Sequence, residues 1–303
     1  MSRTAAKDLL DPAVLMRLDN YALMAKAAVE GFLSGMHRSL FHGFGTEFLQ
    51  YRNYVPGEDL KYLDWKVYAR RDRLYTKVYQ EETNMNVYLL VDASASHDYA
   101  GTRAPCDKLR YACMTAAALA YLASRQGDNV ALYAYNDHVR EVIEPGHRAG
   151  HLQRIFHALT RLRAEGTADH EQVLNAVLHH MRNRGVVVFL SDMLEAEETL
   201  PPLLRQLRFA HCDALGMQVL DPDELDLPQP RATRYLDAEA EGREIITHAP
   251  AVRANYAREM NAFLERLRSG LASARVDYLR LLTNDSLGHS LARYLHKREA
   301  LRC

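Results

Sequence analysis

The amino-acid sequence predicts an α/β protein in which a mostly parallel sheet carries helices on both faces. Two apolar runs, 87–91 (VYLLV) and 186–190 (VVVFL), are typical of strands buried on both sides. From residue 86 onward, further apolar runs alternate with segments of helical periodicity. Parallel strands are joined by crossovers that are usually helical, so this alternation predicts helices above and below one sheet.

The elements before residue 84 differ from those after it. Apolar residues recur at helical spacing in residues 10–35, which predicts one or two helices. Residues 40–79 are rich in Tyr, Phe, Val and Thr with turn residues between them, which predicts short strands and loops, the last strand near 74–79. We therefore expect an N-terminal helical and β segment over residues 1–83 and an α/β domain over residues 84–303.

Within residues 84–303 the expected elements follow one another closely. Strands are predicted at 87–91, 130–135, 139–143 (a short edge strand), 186–190, 214–220 and 278–282. Helices are predicted at 107–125, 152–162, 171–182, 200–209, 252–274 and 286–296. Glu241 and Gly242 mark the turn of a hairpin that precedes the long helix.

Composition and charge narrow the function classes. The chain has 303 residues, 48% of them hydrophobic, and a formal net charge of −1, so no global field favours nucleic acid or an anionic membrane. Charged residues interrupt the N-terminus early, at Lys7, Asp8 and Asp11, so no signal peptide is expected. The most apolar helical stretch, 116–123, is too short to span a bilayer, so no membrane segment is expected. The four cysteines are scattered, which fits a reducing compartment and predicts a cytoplasmic protein.

Polar side chains follow two of the predicted strands at the points where those strands end. Asp92, Ser94 and Ser96 form a D-x-S-x-S loop after 87–91, Asp192 follows 186–190, and Thr167 lies in a loop between them. In an open parallel sheet the site lies beyond the carboxyl ends of the strands, and hydroxyl and carboxylate oxygens suit Mg²⁺ or Mn²⁺. The alternative is that both aspartates cap helices and the serines bind loop backbone.

These loops resemble the metal-ion-dependent adhesion site of von Willebrand factor A domains. The resemblance implies that Ser94, Ser96 and Thr167 ligate the metal directly, whereas Asp92 and Asp192 act through bound water. It also implies a von Willebrand A-like, Rossmann-type sheet.

A second resemblance covers nearly the whole chain. The segments RNYVPGED (52–59), DW (64–65), AR (69–70), LDPDEL (220–225) and YLHKR (294–298) look like the bacterial domain-of-unknown-function-58 family, which joins such an N-terminal segment to a von Willebrand A-like domain. The resemblance implies a non-catalytic adaptor for protein assembly or maturation, whose partner is a MoxR-type AAA+ ATPase or its client. Neutral Ser and Thr ligands leave the charge of the cation poorly neutralised, so we expect the partner to contribute an acidic residue.

Two other functions stay open at this stage. A Mg²⁺-dependent phosphoesterase would need a proton donor or acceptor, and only His97 offers itself, although such a residue is more often an ordinary surface histidine. His147 and His151 are expected to be surface residues as well. Residues 50–80 interleave aromatic and basic side chains, a pattern of single-stranded nucleic-acid binding or, as we expect, of a strand with one buried face.

Overall fold

The computed structural model describes residues 20–35, 48–53, 67, 74–79, 85–180, 185–194, 196–209, 212–228, 232–239 and 242–288. The strands are β1 (Phe48–Asn53), β2 (Tyr75–Tyr79), β3 (Asn86–Asp92), β4 (Asn129–Tyr135), β5 (Val139–Gly146), β6 (Gly185–Ser191), β7 (Asp213–Leu220), β8 (Ala232–Leu236), β9 (Glu244–His248) and β10 (Asp277–Leu282). The helices are α1 (Tyr21–Gly35), α2 (Lys108–Arg125), α3 (His151–Arg161), α4 (His170–His180), α5 (Leu200–Phe209), α6 (Asp223–Asp226) and α7 (Ala249–Ser273).

The central sheet has six strands in the order β10-β7-β6-β3-β4-β5. All neighbouring pairs are parallel except β4 and β5, which run antiparallel at the edge. The chain builds outward from β3 through β4 and β5 and then returns to place β6 on the other side of β3. Strand order therefore reverses at β3, the position where ligand sites form in open α/β sheets. The predicted mostly parallel sheet, with β5 as its edge strand, is confirmed.

Alternate residues of each central strand enter opposite cores, because successive side chains of a strand point to opposite faces. In β3, Leu89 and Val91 pack with α1, α2 and α3, whereas Tyr88 and Leu90 pack with α4, α5 and α7. All four side chains are fully buried. Helices thus cover both faces, and β3 is fixed in register by packing from both sides.

The chain forms two compact units, with boundaries that differ from the predicted division at 83/84. Helix α1 belongs to the same unit as the residues from Met85 onward, because Met24, Ala25 and Ala28 lie in the core beside α2. Residues Arg38–Asn84 form the other unit. Its described part is an antiparallel pair, β1 with β2, in which Tyr51 lies opposite Lys77.

Most predicted elements within the described residues are present. The long helix begins at Ala249 rather than at 252, and Pro250 occupies its first turn, where a missing backbone N–H costs nothing. The hairpin is formed by β8 and β9, and Gly242 takes a φ of 77° there. Residues 10–19 and most of the predicted helix 286–296 lie outside the described residues. Among the helices of the described residues, none is both long and apolar enough to cross a membrane.

Candidate metal-binding site

The predicted site residues lie where β3 and β6 end side by side. Asp92 is the last residue of β3, and Asp192 directly follows Ser191, the last residue of β6. These strands are neighbours at the point where strand order reverses. The fold therefore brings two carboxylates from distant parts of the sequence to one edge of the sheet.

The D-x-S-x-S loop is folded around its own carboxylate. Asp92 is fully buried, and its Oδ1 accepts a hydrogen bond from the backbone N–H of Ser94 (2.9 Å). Its Oδ2 accepts a hydrogen bond from the hydroxyl of Ser191 (2.7 Å). The Ser94 and Ser96 hydroxyls lie 3.1 Å apart, with Ser94 buried and Ser96 half-buried. Three of the five predicted ligands are thus close together.

His97 belongs to the same cluster, and the expectation of a surface histidine is wrong. The residues Ala95–Asp98 form a 3₁₀ turn that buries the His97 ring completely. Its Nδ1 lies 3.3 Å from the hydroxyls of both Ser94 and Ser96 and 3.9 Å from Asp92 Oδ1. Its Nε2 is buried and has no hydrogen-bond partner among the described residues. A buried ring nitrogen without a partner is unfavourable unless something absent from a bare chain completes it.

Asp92, His97 and Asp192 together could hold one metal ion. Each offers one ligand atom, and the three atoms lie within 4.8 Å of one another. The carboxylates and the neighbouring serine hydroxyls are hard donors that suit Mg²⁺ or Mn²⁺. By donor chemistry, the residues present therefore fit the predicted cation.

The backbone after Asp192 is strained and firmly held. Met193 is fully buried with a φ of 54°, in the left-handed region that disfavours residues other than glycine. Its N–H donates to the Ser191 hydroxyl (3.0 Å), and the Asp192 carbonyl accepts from Gln218 (2.8 Å). These contacts fix the direction in which the Asp192 carboxylate leaves the sheet.

A buried lysine that sequence analysis did not identify pairs with Asp192. Lys108 is the first residue of α2, and its Nζ lies 2.8 Å from Asp192 Oδ2 and 2.6 Å from Glu224 Oε1. Burial alone would raise the pKa of Asp192, but the Lys108 ammonium outweighs it and holds that pKa well below its usual range. Burial alone would likewise lower the pKa of Lys108, but the two carboxylates raise it, so the ammonium stays charged.

Glu224 is placed by the LDPDEL segment, which explains part of that motif. Its second carboxylate oxygen accepts from the backbone N–H of Asp221 (2.7 Å). Asp221 and Asp223 are buried and accept from the backbone N–H groups of Gly101 (2.7 Å) and Thr102 (2.8 Å). The acidic motif thus ties two loops together and presents Glu224 to Lys108.

Thr167 reaches the same cleft from a loop that is joined to the D-x-S-x-S loop. The backbone N–H of Ala95 donates to the Gly166 carbonyl (2.8 Å), and that of Glu165 donates to the Ala93 carbonyl (2.9 Å). Gly166 takes a φ of 70°, which glycine adopts without strain. Thr167 is exposed and lines a cleft of about 890 Å³ together with Ser96 and Asp192. Its direct ligation of a metal stays a prediction.

The cleft and the residues beneath it form two layers. The floor consists of buried residues at or beneath the base of the cleft, of which Lys108 and Asp192 line it: Asp92, Ser94, His97, Lys108 and Asp192. The rim consists of exposed loop residues: Thr167, Asp169 and Glu239. Ser96 lies half-buried between them.

The other singled-out histidines lie apart from this cleft. His147 Nδ1 contacts the Asn129 side-chain oxygen (2.6 Å), and His151 Nε2 contacts the Val130 carbonyl (2.7 Å). Each ring therefore has its own protein partner. Most of residues 50–80 lie outside the described residues, so the nucleic-acid alternative gains no structural support.

The fold and the site together define a Rossmann-type α/β domain with a candidate metal centre at the point where strand order reverses. The chain belongs to the family described as "Protein of unknown function DUF58", whose model matches residues 50–265. "Uncharacterized protein Rv1480" of Mycobacterium tuberculosis (strain ATCC 25618 / H37Rv) is 30% identical over 254 residues, 83% of this chain and 79% of that protein. "Uncharacterized protein YeaD" of Bacillus subtilis (strain 168) is 44% identical over 45 residues, 15% of this chain and 11% of that protein.

Solved structures resemble the chain only distantly. BatB from Bacteroides thetaiotaomicron has a TM-score of 0.47 at 11% identity, covering 71% of this chain and 99% of that one. The SpRpn10 VWA domain has a TM-score of 0.43 at 12% identity, covering 70% and 95%. The fold stands on the strand order described above and not on these scores.

Proposed function

We propose that this protein is a non-catalytic adaptor that binds another protein through a divalent cation, Mg²⁺ or Mn²⁺, held at the floor of the cleft. The observation that carries the proposal is the meeting of Asp92, Ser94 and Asp192 at the switch point of the sheet, beside a buried His97 nitrogen without a partner. A hard cation with neutral hydroxyl ligands keeps an affinity for a further carboxylate. An Asp or Glu of the partner would supply it.

Lys108 strengthens this argument through charge. Its ammonium already neutralises part of the Asp192 carboxylate at 2.8 Å. Asp192 therefore passes less negative charge to a bound cation, and the cation remains a better acceptor for a carboxylate from outside. A site with this charge balance favours binding of an acidic group.

The charge of the cleft lining makes such binding depend on the cation. Among the described residues, seven carboxylates line the cleft, against the cations Lys108 and Arg243. An approaching acidic residue is repelled by this lining when no metal is present. We therefore expect partner binding to require the metal rather than to be merely improved by it.

The candidate partner is a MoxR-type AAA+ ATPase or its client, and the family resemblance is what supports this choice. The test uses purified full-length protein and the MoxR-type ATPase of the same organism, with affinity measured in Mg²⁺ and again with a chelator. We expect chelation to weaken binding by about tenfold or more, which corresponds to 1.4 kcal/mol. Binding that is indifferent to the chelator would overturn the adaptor mechanism.

Two matched variants show which residues of the cleft are responsible for metal-dependent partner binding. Thr167→Ala removes an exposed rim hydroxyl and should weaken metal-dependent binding without changing the melting temperature of the metal-free protein. Asp137→Asn removes an exposed carboxylate that lines the same cleft away from the floor, and it should bind the partner like the parent. Equal loss in both variants would mean that general cleft charge, not the predicted ligand set, governs binding.

The phosphoesterase alternative is less well supported. Its one candidate acid or base, His97, has no accessible surface and lies against two serine hydroxyls. A leaving-group acid must reach the substrate, and a fully buried ring does not. We expect no phosphate release from a generic phosphate ester with Mn²⁺ present, and turnover that His97→Ala abolishes would move the protein into the enzyme class.

A further inference from the structure

The loop between β8 and β9 brings a carboxylate of this same chain to the candidate metal site. The side chain of Glu239 lies beside Ser96, the half-buried member of the D-x-S-x-S loop, and both residues line the same cleft. Glu239 also lines the cleft together with Thr167 and Asp192. A residue far along the chain therefore lies where a ligand of the cation would be expected.

The loop that carries Glu239 is shaped by its own contacts. The Asp237 N–H donates to the Arg243 carbonyl (2.9 Å), and the Asp237 carboxylate accepts from the Glu239 N–H (3.0 Å). The Arg243 guanidinium lies 3.6 Å from the same carboxylate. These contacts hold the backbone of Glu239 in place, so the position of its carboxylate is built rather than accidental.

The charges around Glu239 repel one another when no metal is bound, and they favour the binding of a cation. The Glu239 carboxylate faces the negative charges of Asp192 and Asp92 in this cleft, and these like charges repel it. A divalent cation between these groups would turn mutual repulsion into shared attraction. The arrangement is therefore one that a cation stabilises.

The hairpin is also lightly attached. Leu236, Ile245 and Ile246 are 64%, 65% and 69% exposed, so few apolar contacts hold β8 and β9 to the rest of the unit. Elements with little buried apolar surface open at low free-energy cost. Glu239 can accordingly leave the site without disturbing the sheet.

We propose that Glu239 is an internal ligand that occupies the open position of the cation in the free protein and is displaced by the partner's acidic residue. The inference rests on the proposed function and adds a regulatory contact to it. The intact chain would then bind its partner more weakly than an unoccupied site would, and the hairpin would set that difference.

The test measures bound Mn²⁺ in the full-length protein by titration and by water proton relaxation. Glu239→Ala should add one exchangeable water to the bound ion, because a vacated position is filled by solvent. It should also weaken Mn²⁺ binding by about tenfold, within the range for losing a group that supports a metal site. Acetate, as a carboxylate probe, should displace that water at lower concentration in Glu239→Ala than in the parent.

Glu244→Ala is the matched control, since this residue lies on β9 and pairs with Arg234 away from the cleft. It should leave the water number and the Mn²⁺ affinity unchanged. If the parent binds Mn²⁺ but Glu239→Ala changes neither quantity, the internal ligand is refuted and the adaptor proposal survives. If the parent binds no Mn²⁺ at all, both proposals fail together.

Discussion

The floor and the rim of the cleft are built from different structural elements and differ in burial. The floor stands on strand ends and a helix start, and each of its charged groups is buried against a partner, as in the pairing of Lys108 with Asp192 and Glu224. The rim stands on loops, and its residues Thr167 and Glu239 are exposed. Stability and metal affinity should therefore separate: floor substitutions affect folding as well as binding, and rim substitutions affect binding alone.

The largest expected effect on stability is that of removing the positive charge of Lys108 from the floor. Lys108→Met leaves Asp192 and Glu224 buried without their partner, and we expect a loss of about 3–5 kcal/mol in the free energy of unfolding. Urea unfolding measures it, and Arg268→Met, which removes an exposed cation on α7, is the control with no measurable change expected. A Lys108→Met protein as stable as the parent would show that the buried pair does not hold the floor together.

A smaller loss is expected where the acidic motif meets the loop of Gly101. A Cβ added at Gly101 would overlap Asp221 Oδ1 and would lie 2.7 Å from the side chain of Asp223, so these groups must shift. Gly101→Ala should cost about 1–3 kcal/mol, as overpacking usually does. Thermal unfolding checks this value, and an unchanged melting temperature would mean that the two loops yield easily.

The pH dependence of stability should reveal the protonation of His170, which lines the cleft and packs edge-on against Phe189. Burial lowers the pKa of His170, and the nearby Asp92 and Asp192 only partly oppose it. Below about pH 6.5 the unfolded chain then binds a proton that the folded chain does not. The free energy of unfolding therefore decreases as the pH is lowered, by at most about 1.4 kcal/mol per pH unit.

The substitution His170→Gln should reduce the slope of the free energy of unfolding against pH in the range from the lowered pKa of the folded state up to about pH 6.5. Above that range the slope should be the same as in the parent. Urea midpoints from pH 5 to 7 measure it, with the exposed His157→Gln as the control for loss of an imidazole. A parent and a His170→Gln variant with parallel curves would contradict the burial argument.

The smallest effect on stability is expected at the rim. Thr167→Ala should change the free energy of unfolding by less than about 0.5 kcal/mol, because the side chain is exposed. Its effect on metal affinity should be the larger of the two. A Thr167→Ala protein that is clearly destabilised would remove the distinction between rim and floor.

Sequence analysis could place together the site residues that lie at or just after the ends of strands. Asp92, Ser94 and Asp192 could be placed together because apolar runs locate buried strands and parallel strands end at one edge. Lys108 could not, since its partners lie 84 and 116 residues away and its local context is only that of a helix start.

The wrong expectation for His97 has a local cause. Spacing in a short polar loop does not show that a 3₁₀ turn will fold the ring inward, which depends on hydrogen bonds with Ser94 and Ser96. Glu239 was missed for a related reason, because the position of a hairpin loop is set by tertiary packing and not by local pattern. The sequence thus reports periodic structure well and loop placement poorly.

The most direct test of the central claim is the melting temperature with and without Mg²⁺ or Mn²⁺, for the parent and for a Ser96→Ala, Thr167→Ala double variant. These hydroxyls lie outside the Lys108 pair, so the double variant should fold like the parent. At a hundred times its Kd the metal should stabilise the parent by about 2.7 kcal/mol, or several degrees at roughly 2–4 °C per kcal/mol, and the double variant far less. No shift in the parent, or an equal shift in both proteins, would contradict a cation held at this site.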